Sequence, residues 1–286
     1  MKKYNPHYVP RSILRNFVKT QGVFCLMKDQ NGKIISSSVD NLCAEKSFYS
    51  FSLDIEDENT SNTLDYDKQV FDKIDGEIAP VIKKLVEQHN IDVLNDDDRA
   101  KLATYVVYQY MRSPAVKNIA VFLAQNDKDA RQIQGLNLLE GEYIKRISEI
   151  ISNFKLELIR ATQGVNFIIS DSPVLWSPTA EGIYFPISPD YCLFYQQLDN
   201  DSQSSFNLLD SICINELEFL ASVRFNIAKS EDTLQNIWQG THQSHISNFC
   251  QSGTSYWRCI LESKNSLHCI ERFRENICEE FKALLF

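Results

Sequence analysis

Nothing in this chain of 286 residues approaches the roughly 18 consecutive apolar residues that a membrane-crossing helix requires. Asn5, His7, Arg11 and Arg15 also interrupt the start, so no apolar signal core is read there. No membrane partner is expected, and the expected location is the cytoplasm. Glycine and proline are scarce, at 9 and 8 residues, which excludes long low-complexity tracts. The 8 cysteines include no CxxC pair, and most sit in apolar company such as "VFCLM" and "YCLFY"; buried free thiols are expected rather than disulfides. There is no Walker loop, no Rossmann glycine fingerprint, no GxSxG elbow and no HExxH, which sets aside several common enzyme classes.

What is present suits a folded chain. A hydrophobic share of 43% and a charged share of 23% allow a substantial core. Net charge is -9, which disfavours a protein coated in nucleic acid by bulk electrostatics. The charge is unevenly placed, however. Residues 1–50 hold eight Lys and Arg against three Asp and Glu, whereas residues 51–100 hold five against fourteen. The basic start retains the means to present a local anion-binding face. The acidic run suits solvated loops and helix starts, with a carboxylate site for a divalent metal as the alternative.

Periodicity predicts an α+β fold, predominantly helical, in one domain over 1–286. An N-terminal plug and β unit occupies 1–60. Pro10 opens a short helix in "RSILRNF", and "GVFCLMKD" and "KIISSSV" form a β-hairpin about Asn31-Gly32. A central helical bundle over 61–162 follows. Its first helix carries Val70, Phe71, Ile74, Ile78, Val81, Ile82 and Leu85 on one face, with Pro80 expected to kink or divide it. The next opens at the capping run "NDDD" and ends near Ser113-Pro114, and a helical pattern then continues to about residue 162. Residues 163–200 supply a small later sheet from "VNFIIS", "GIYFPIS" and "YCLFYQQ", and residues 205–286 supply C-terminal helices.

Several polar residues stand at these element boundaries. His7 and Arg11 flank Pro10, Arg112 sits among aromatic residues at a helix junction, and Asp171 follows the strand "NFIIS". An Arg fork matches either a carboxylate or an anionic ligand. A carboxylate at a strand end serves either chemistry or turn capping. Glu45, Lys46 and Tyr49 form a further compact group, although adjacent strand residues point to opposite faces. His242 and His245, with Cys250 nearby, have a spacing that tolerates zinc and equally suits surface histidines.

The stretches "HYVPRSILRNF", "NLCAEKSFY", "FDKIDGEIAPVI", "QYMRSP", "FIISDSPV", "YFPISP" and "INELEFLA" together resemble successive landmarks of a bacterial family, domain of unknown function 4238, from about residue 6 to 230. By that resemblance His7, Pro10, Glu45, Tyr49, Arg112, Asp171, Pro173, Pro186 and Asn215 fall on polar or proline landmarks, while Asp75 stands where Glu is more usual. The resemblance supplies a residue list and no reaction.

Two functions remain in view. In the first, the chain is a hydrolase acting on a phosphodiester or other anionic substrate, a nuclease-like effector whose partner is nucleic acid or a nucleotide. His7 is then acid or base, Arg112 clamps the anion, and Asp171 orients His7 or a metal, with Arg11, Glu45, Lys46, Tyr49 and Asn215 in support. No cofactor is specified beyond a divalent metal. In the second, the chain is a non-catalytic macromolecule-binding protein, such as a sensor or immunity component of microbial defence, and the same residues are buried anchors.

Overall fold

The computed structural model describes residues 6–18, 22–45, 50–52, 63–65, 70–118, 141–176, 182–196 and 211–240. Within them the chain begins with a four-residue helix, α1 (Arg11–Leu14), on the Pro10 step, and runs into the strands β1 (Val23–Met27) and β2 (Lys33–Ser37). The hairpin expected from Asn31-Gly32 is present. Both residues have positive φ, at 55° and 74°, as the second half of a loop over 28–32. The short strands β3 (Ser50–Ser52) and β4 (Thr63–Asp65) pair only with one another.

Two long helices follow, α2 (Asp72–Gln88) and α3 (Asp96–Met111). Pro80 does not divide α2, because Ile78, Val81, Ile82 and Leu85 on both sides of it share one buried face that holds the helix to the core. The start of α3 is fixed as its sequence indicates: Asn95 Oδ1 accepts from the Asp98 N–H at 2.8 Å, and the Asp98 carboxylate accepts in return from the Asn95 N–H. A third helix, α4 (Gly141–Ser152), packs on α3, which also packs on α2.

The helical run expected to reach residue 162 stops at Ser152. Residues after it form β5 (Lys155–Arg160), paired along its whole length with a later strand. Helix-forming Lys, Leu, Glu and Arg are overridden there by non-local pairing. The chain continues through β6 (Ile169–Ser170), β7 (Leu175–Trp176), β8 (Ile183–Pro186) and β9 (Tyr191–Gln196). It then forms α5 (Ser211–Ala221), β10 (Phe225–Ala228) and α6 (Glu231–Gly240). The strand β10 corrects a second expectation, since it pairs with β1 inside the 205–286 stretch whose pattern predicts helices. The final helix expected near the C-terminus, and the pair His242 and His245, lie outside the described residues.

The fold is α+β, with antiparallel sheets. Beside the β3-β4 pair, one has the order β5-β9-β8-β7 and another β2-β1-β10-β6. The strand from "NFIIS" therefore does not join "YFPIS" and "YCLFY" in one sheet. It joins the N-terminal hairpin, through β10, across more than 130 residues of chain. A continuous core runs from Val9, Ile13, Leu14 and Phe17 through α2 and α3 to Phe185, Leu193 and Phe194. A smaller cluster of Leu26, Ile168, Phe219, Ala228 and Leu234 lies under α6. No helix among the described residues is long and apolar enough to cross a membrane.

Trp238 of α6 covers the hairpin loop so closely that a Cβ on Gly32 would lie 2.2 Å from its ring, at a φ of +74°. Gly32→Ala is expected to destabilise the fold by roughly 1–3 kcal/mol. Gly76→Ala, inside α2 with nothing within 4 Å of the added carbon, is expected to stabilise it by about 0.5–1 kcal/mol. Urea unfolding of the two variants beside the wild type measures both.

Candidate functional site

Arg112 ends α3 with no solvent exposure. A guanidinium so placed must find acceptors, because an unpaired buried charge is costly. Its Nη2 donates to Asp75 Oδ1 at 2.8 Å and its Nη1 to Asp75 Oδ2 at 3.2 Å, a bidentate pair reaching across to α2. Nε and Nη2 also donate to Gln109 Oε1, at 3.0 and 2.6 Å, and Nη2 reaches the Tyr105 hydroxyl at 3.3 Å. The rings of Phe71 and Tyr105 lie 5.2 and 5.6 Å from the guanidinium carbon. Gln109 in turn donates to the Tyr8 carbonyl at 2.9 Å, so this network fastens the N-terminal segment to α3.

Asp171 follows β6 and is also fully buried. Its carboxylate accepts three consecutive backbone N–H groups, from Val223 at 2.8 Å and from Arg224 and Phe225 at 2.7 and 3.0 Å. Asp171 thereby shapes the turn that leads from α5 into β10. Burial raises its carboxyl above the usual range, against the opposing pull of those three N–H groups and Lys28. Lys28, itself 2% exposed, donates to the carbonyls of Phe219 and Ser222 at 2.8 and 2.7 Å and closes the end of α5.

Asn215 and Glu218 lie one helical turn apart on α5 and face β6, the last strand of its sheet. An edge strand leaves N–H groups without a neighbouring strand. Asn215 Oδ1 accepts the Ile168 N–H at 2.9 Å and Glu218 Oε2 the Ser170 N–H at 2.9 Å, while Asn215 Nδ2 donates to the Asn166 carbonyl. Two side chains of a helix thus stand in for the missing strand. Among the described residues, Glu218 Oε1 and Asn226 Oδ1 are buried without a hydrogen-bond partner. Burial pushes the Glu218 carboxyl up to about 8, with the Asp171 charge adding to the shift and bonds from Ser170 opposing it.

Tyr8 spans the two networks. Its carbonyl meets Gln109 beside Arg112, and burial raises its phenol well above the usual tyrosine range, with Cys43 and Asp171 adding to the shift. Ser172, next to Asp171, accepts from the Ala115 N–H at 3.2 Å. Arg112 and Asp171 therefore belong to one junction, with their side chains committed to different partners. His7 pairs through its backbone with Ala44 and is half-buried. Asp40 is within its electrostatic reach, and the Asp40 carboxyl lies below the usual range chiefly through its bond from Arg11, with His7 a lesser contributor.

The supporting residues are dispersed. Arg11 makes an exposed ion pair with Asp40 at 3.1 Å, and Glu45 is exposed near Lys117, whose Nζ lies 4.0 Å from it. Lys46 and Tyr49 lie outside the described residues. Cys25, Cys43 and Cys192 are buried free thiols, and burial raises all three, Cys25 to about 12. Among the described residues no group of three or more His, Cys, Asp or Glu is placed to hold a metal ion. Sequence reading missed Gln109, Asp75 as the partner of Arg112, Lys28 and Glu218. Only the repeated three- and four-residue spacing of Tyr105, Gln109 and Arg112 on one helix could have suggested part of this.

Residues 5–142 match the model of a family described as a protein of unknown function, DUF4238. His7, Glu45, Arg112 and Asp75 fall inside that stretch, whereas Asp171 and Asn215 lie beyond it. No curated protein and no solved structure matches the chain.

Asp75→Ala leaves the Arg112 guanidinium buried without its carboxylate and is expected to cost about 3 kcal/mol in chemical unfolding. Glu218 gives a pH dependence of definite sign. Its folded value, about 8, lies above the ordinary 4.5, so the folded state holds a proton that the unfolded state has lost between those values. The contribution of Glu218 is fully present below about pH 4.5 and declines as the pH rises to about 8. Glu218→Gln is expected to flatten the stability profile across that window, measured as the difference in unfolding free energy at its two ends.

Proposed function

With residues 5–142 belonging to that family, we propose that the protein is a non-catalytic macromolecule-binding protein, of the kind a sensor or immunity component would be. The observation that supports this reading is the commitment of Arg112 and Asp171. Both are fully buried, the guanidinium on Asp75, Gln109 and Tyr105 and the carboxylate on three backbone N–H groups. An anion clamp needs donors aimed at an approaching ligand, and a general base needs reach to a substrate proton. Residues so placed act as anchors that hold the N-terminal segment, the helices and β10 in register for a surface to be recognised.

The competing reading, a hydrolase of phosphodiesters or other anionic substrates using His7, Arg112 and Asp171, predicts a different outcome from the same variants. His7→Ala and Asp171→Asn, each checked for folding by circular dichroism, are compared with the wild type on DNA, RNA and nucleotides, with and without Mg²⁺, Mn²⁺ or Zn²⁺. The binding reading expects no cleavage by the wild type and a stability loss of about 1–3 kcal/mol for Asp171→Asn, as a turn carboxylate is replaced by an amide that accepts fewer N–H groups. Cleavage by the wild type that disappears in folded His7→Ala would overturn it in favour of the hydrolase.

A further inference from the structure

Ser170 and Asn226 are direct partners across the ladder of β6 and β10, so their side chains leave the sheet on one face. Glu218 Oε2 accepts the Ser170 N–H at 2.9 Å, and the same carboxyl bonds the Ser170 hydroxyl. Asn226 Nδ2 donates to Ser222 Oγ at 2.8 Å. Ser222 lies one turn beyond Glu218 on the path of α5, and its N–H donates to the Glu218 carbonyl at 3.0 Å. Glu218 and Asn226 are therefore held against the same turn of chain, each by one end of its polar group. The other ends, Glu218 Oε1 and Asn226 Oδ1, are buried without a hydrogen-bond partner among the described residues. All four residues are fully buried.

Two acceptors enclosed together with no hydrogen between them are unfavourable. A single proton on Glu218 Oε1 removes both faults, because it turns that oxygen into a donor and gives Asn226 Oδ1 a bond. The charged and titratable groups around the site favour this form. Asp171, at the end of β6, opposes a second negative charge and, after burial itself, helps to push the Glu218 carboxyl up to about 8. Cys192 of β9 is a buried thiol, raised above its usual range. Lys28, beyond β1, directs its ammonium to the Phe219 and Ser222 carbonyls. β7 brings no charged residue, and the acidic residues of α6, Glu231 and Asp232, are exposed.

We propose that Glu218 is a neutral carboxylic acid donating to Asn226 Oδ1, and that this proton is a latch that seats α5, with the loop it carries, on β6 and β10. Earlier turns of α5 hold that loop: Ser211 Oγ accepts the Thr162 N–H at 2.6 Å, and Asn215 donates to the Asn166 carbonyl at 2.8 Å. The loop walls a cleft of about 620 Å³ towards Asp190 and shares Gly164 and Val165 with a smaller one, of about 290 Å³, towards α6. Releasing α5 loosens the wall common to both. The seated acid keeps its proton up to about pH 8, whereas the opened, solvated acid loses it at the ordinary 4.5. Opening therefore gains on the seated form as the pH rises between those values and levels off above them. The latch stands apart from the binding function proposed above.

The test is a carbon-13 NMR titration of the full chain from about pH 5 to 9, with amide hydrogen exchange followed over the same range. The Glu218 carboxyl is expected to be neutral at neutral pH and to ionise near pH 8, with the Asn226 amide carbon moving at the same midpoint. Corrected for base catalysis of exchange, protection of the Thr162, Ile168 and Ser170 amides is expected to fall by roughly tenfold per pH unit up to about 8, and that of Val106 and Val107 in α3 by much less. Glu218→Gln, whose amide donates the same bond at every pH, is expected to abolish the slope. A Glu218 already ionised at neutral pH would make Asn226 the donor and overturns the proposal. So does an Asn226 carbon that ignores the titration, or an equal slope in α3, which is global unfolding alone. The wild-type titration decides the matter even where Glu218→Gln does not fold.

Discussion

The Asp171 carboxylate is the constraint on which the architecture turns. By gathering the N–H groups of Val223, Arg224 and Phe225, it ends the path of α5 and starts β10 at a fixed place. Because β10 lies between β1 and β6, that one side chain sets the junction between the N-terminal hairpin and the later part of the chain. A neutral turn residue would offer fewer acceptor sites for three successive donors. The cost of burying the charge is visible in its raised carboxyl, and it is offset by those three bonds with Lys28 nearby.

Arg112 performs the corresponding task on the other side of Tyr8. Its bidentate pair with Asp75 joins α3 to α2, and its bond to Gln109 orients the amide that holds the Tyr8 carbonyl. The N-terminal segment is therefore fastened to α3 through Gln109, and its apolar residues Val9, Ile13, Leu14 and Phe17 complete the core beneath it. Such buried polar networks are demanding, since each member left without a partner would destabilise the fold. They also fix one arrangement of the segment among the several that hydrophobic packing alone would permit.

The edge of β6 shows a third use of polar side chains. A strand of two residues cannot complete a sheet, and its outward N–H groups would otherwise remain buried and unpaired. Asn215 and Glu218 supply the acceptors from a helix, and Asn215 also reaches the loop that walls the larger cleft. Scaffold and cleft are thus coupled through α5. The raised Glu218 carboxyl is the consequence of placing an acid where a backbone carbonyl would normally sit.

Local chemistry made much of this legible in the residues themselves. The Asn31-Gly32 turn, the capping run at Asn95, the apolar face of α2 and the Pro10 start of α1 each depend on neighbours a few positions away, and each was readable. Arg112 and Asp171 stand out in the sequence by their position at element boundaries, and Asn215 by the resemblance. Their roles do not, because Asp75 is 37 residues from Arg112 and Val223 is 52 from Asp171. The strands β5 and β10 escaped for the same reason: "KLELIR" and "FNIA" are short, their propensities are weak, and their partners lie far along the chain. Sequence alone determined which segments prefer helix, turn or hairpin where the signal is local. Tertiary structure alone decided what Arg112, Asp171 and Asn215 hold, since hydrogen-bond partners of buried charges are chosen by the packing that excludes water around them.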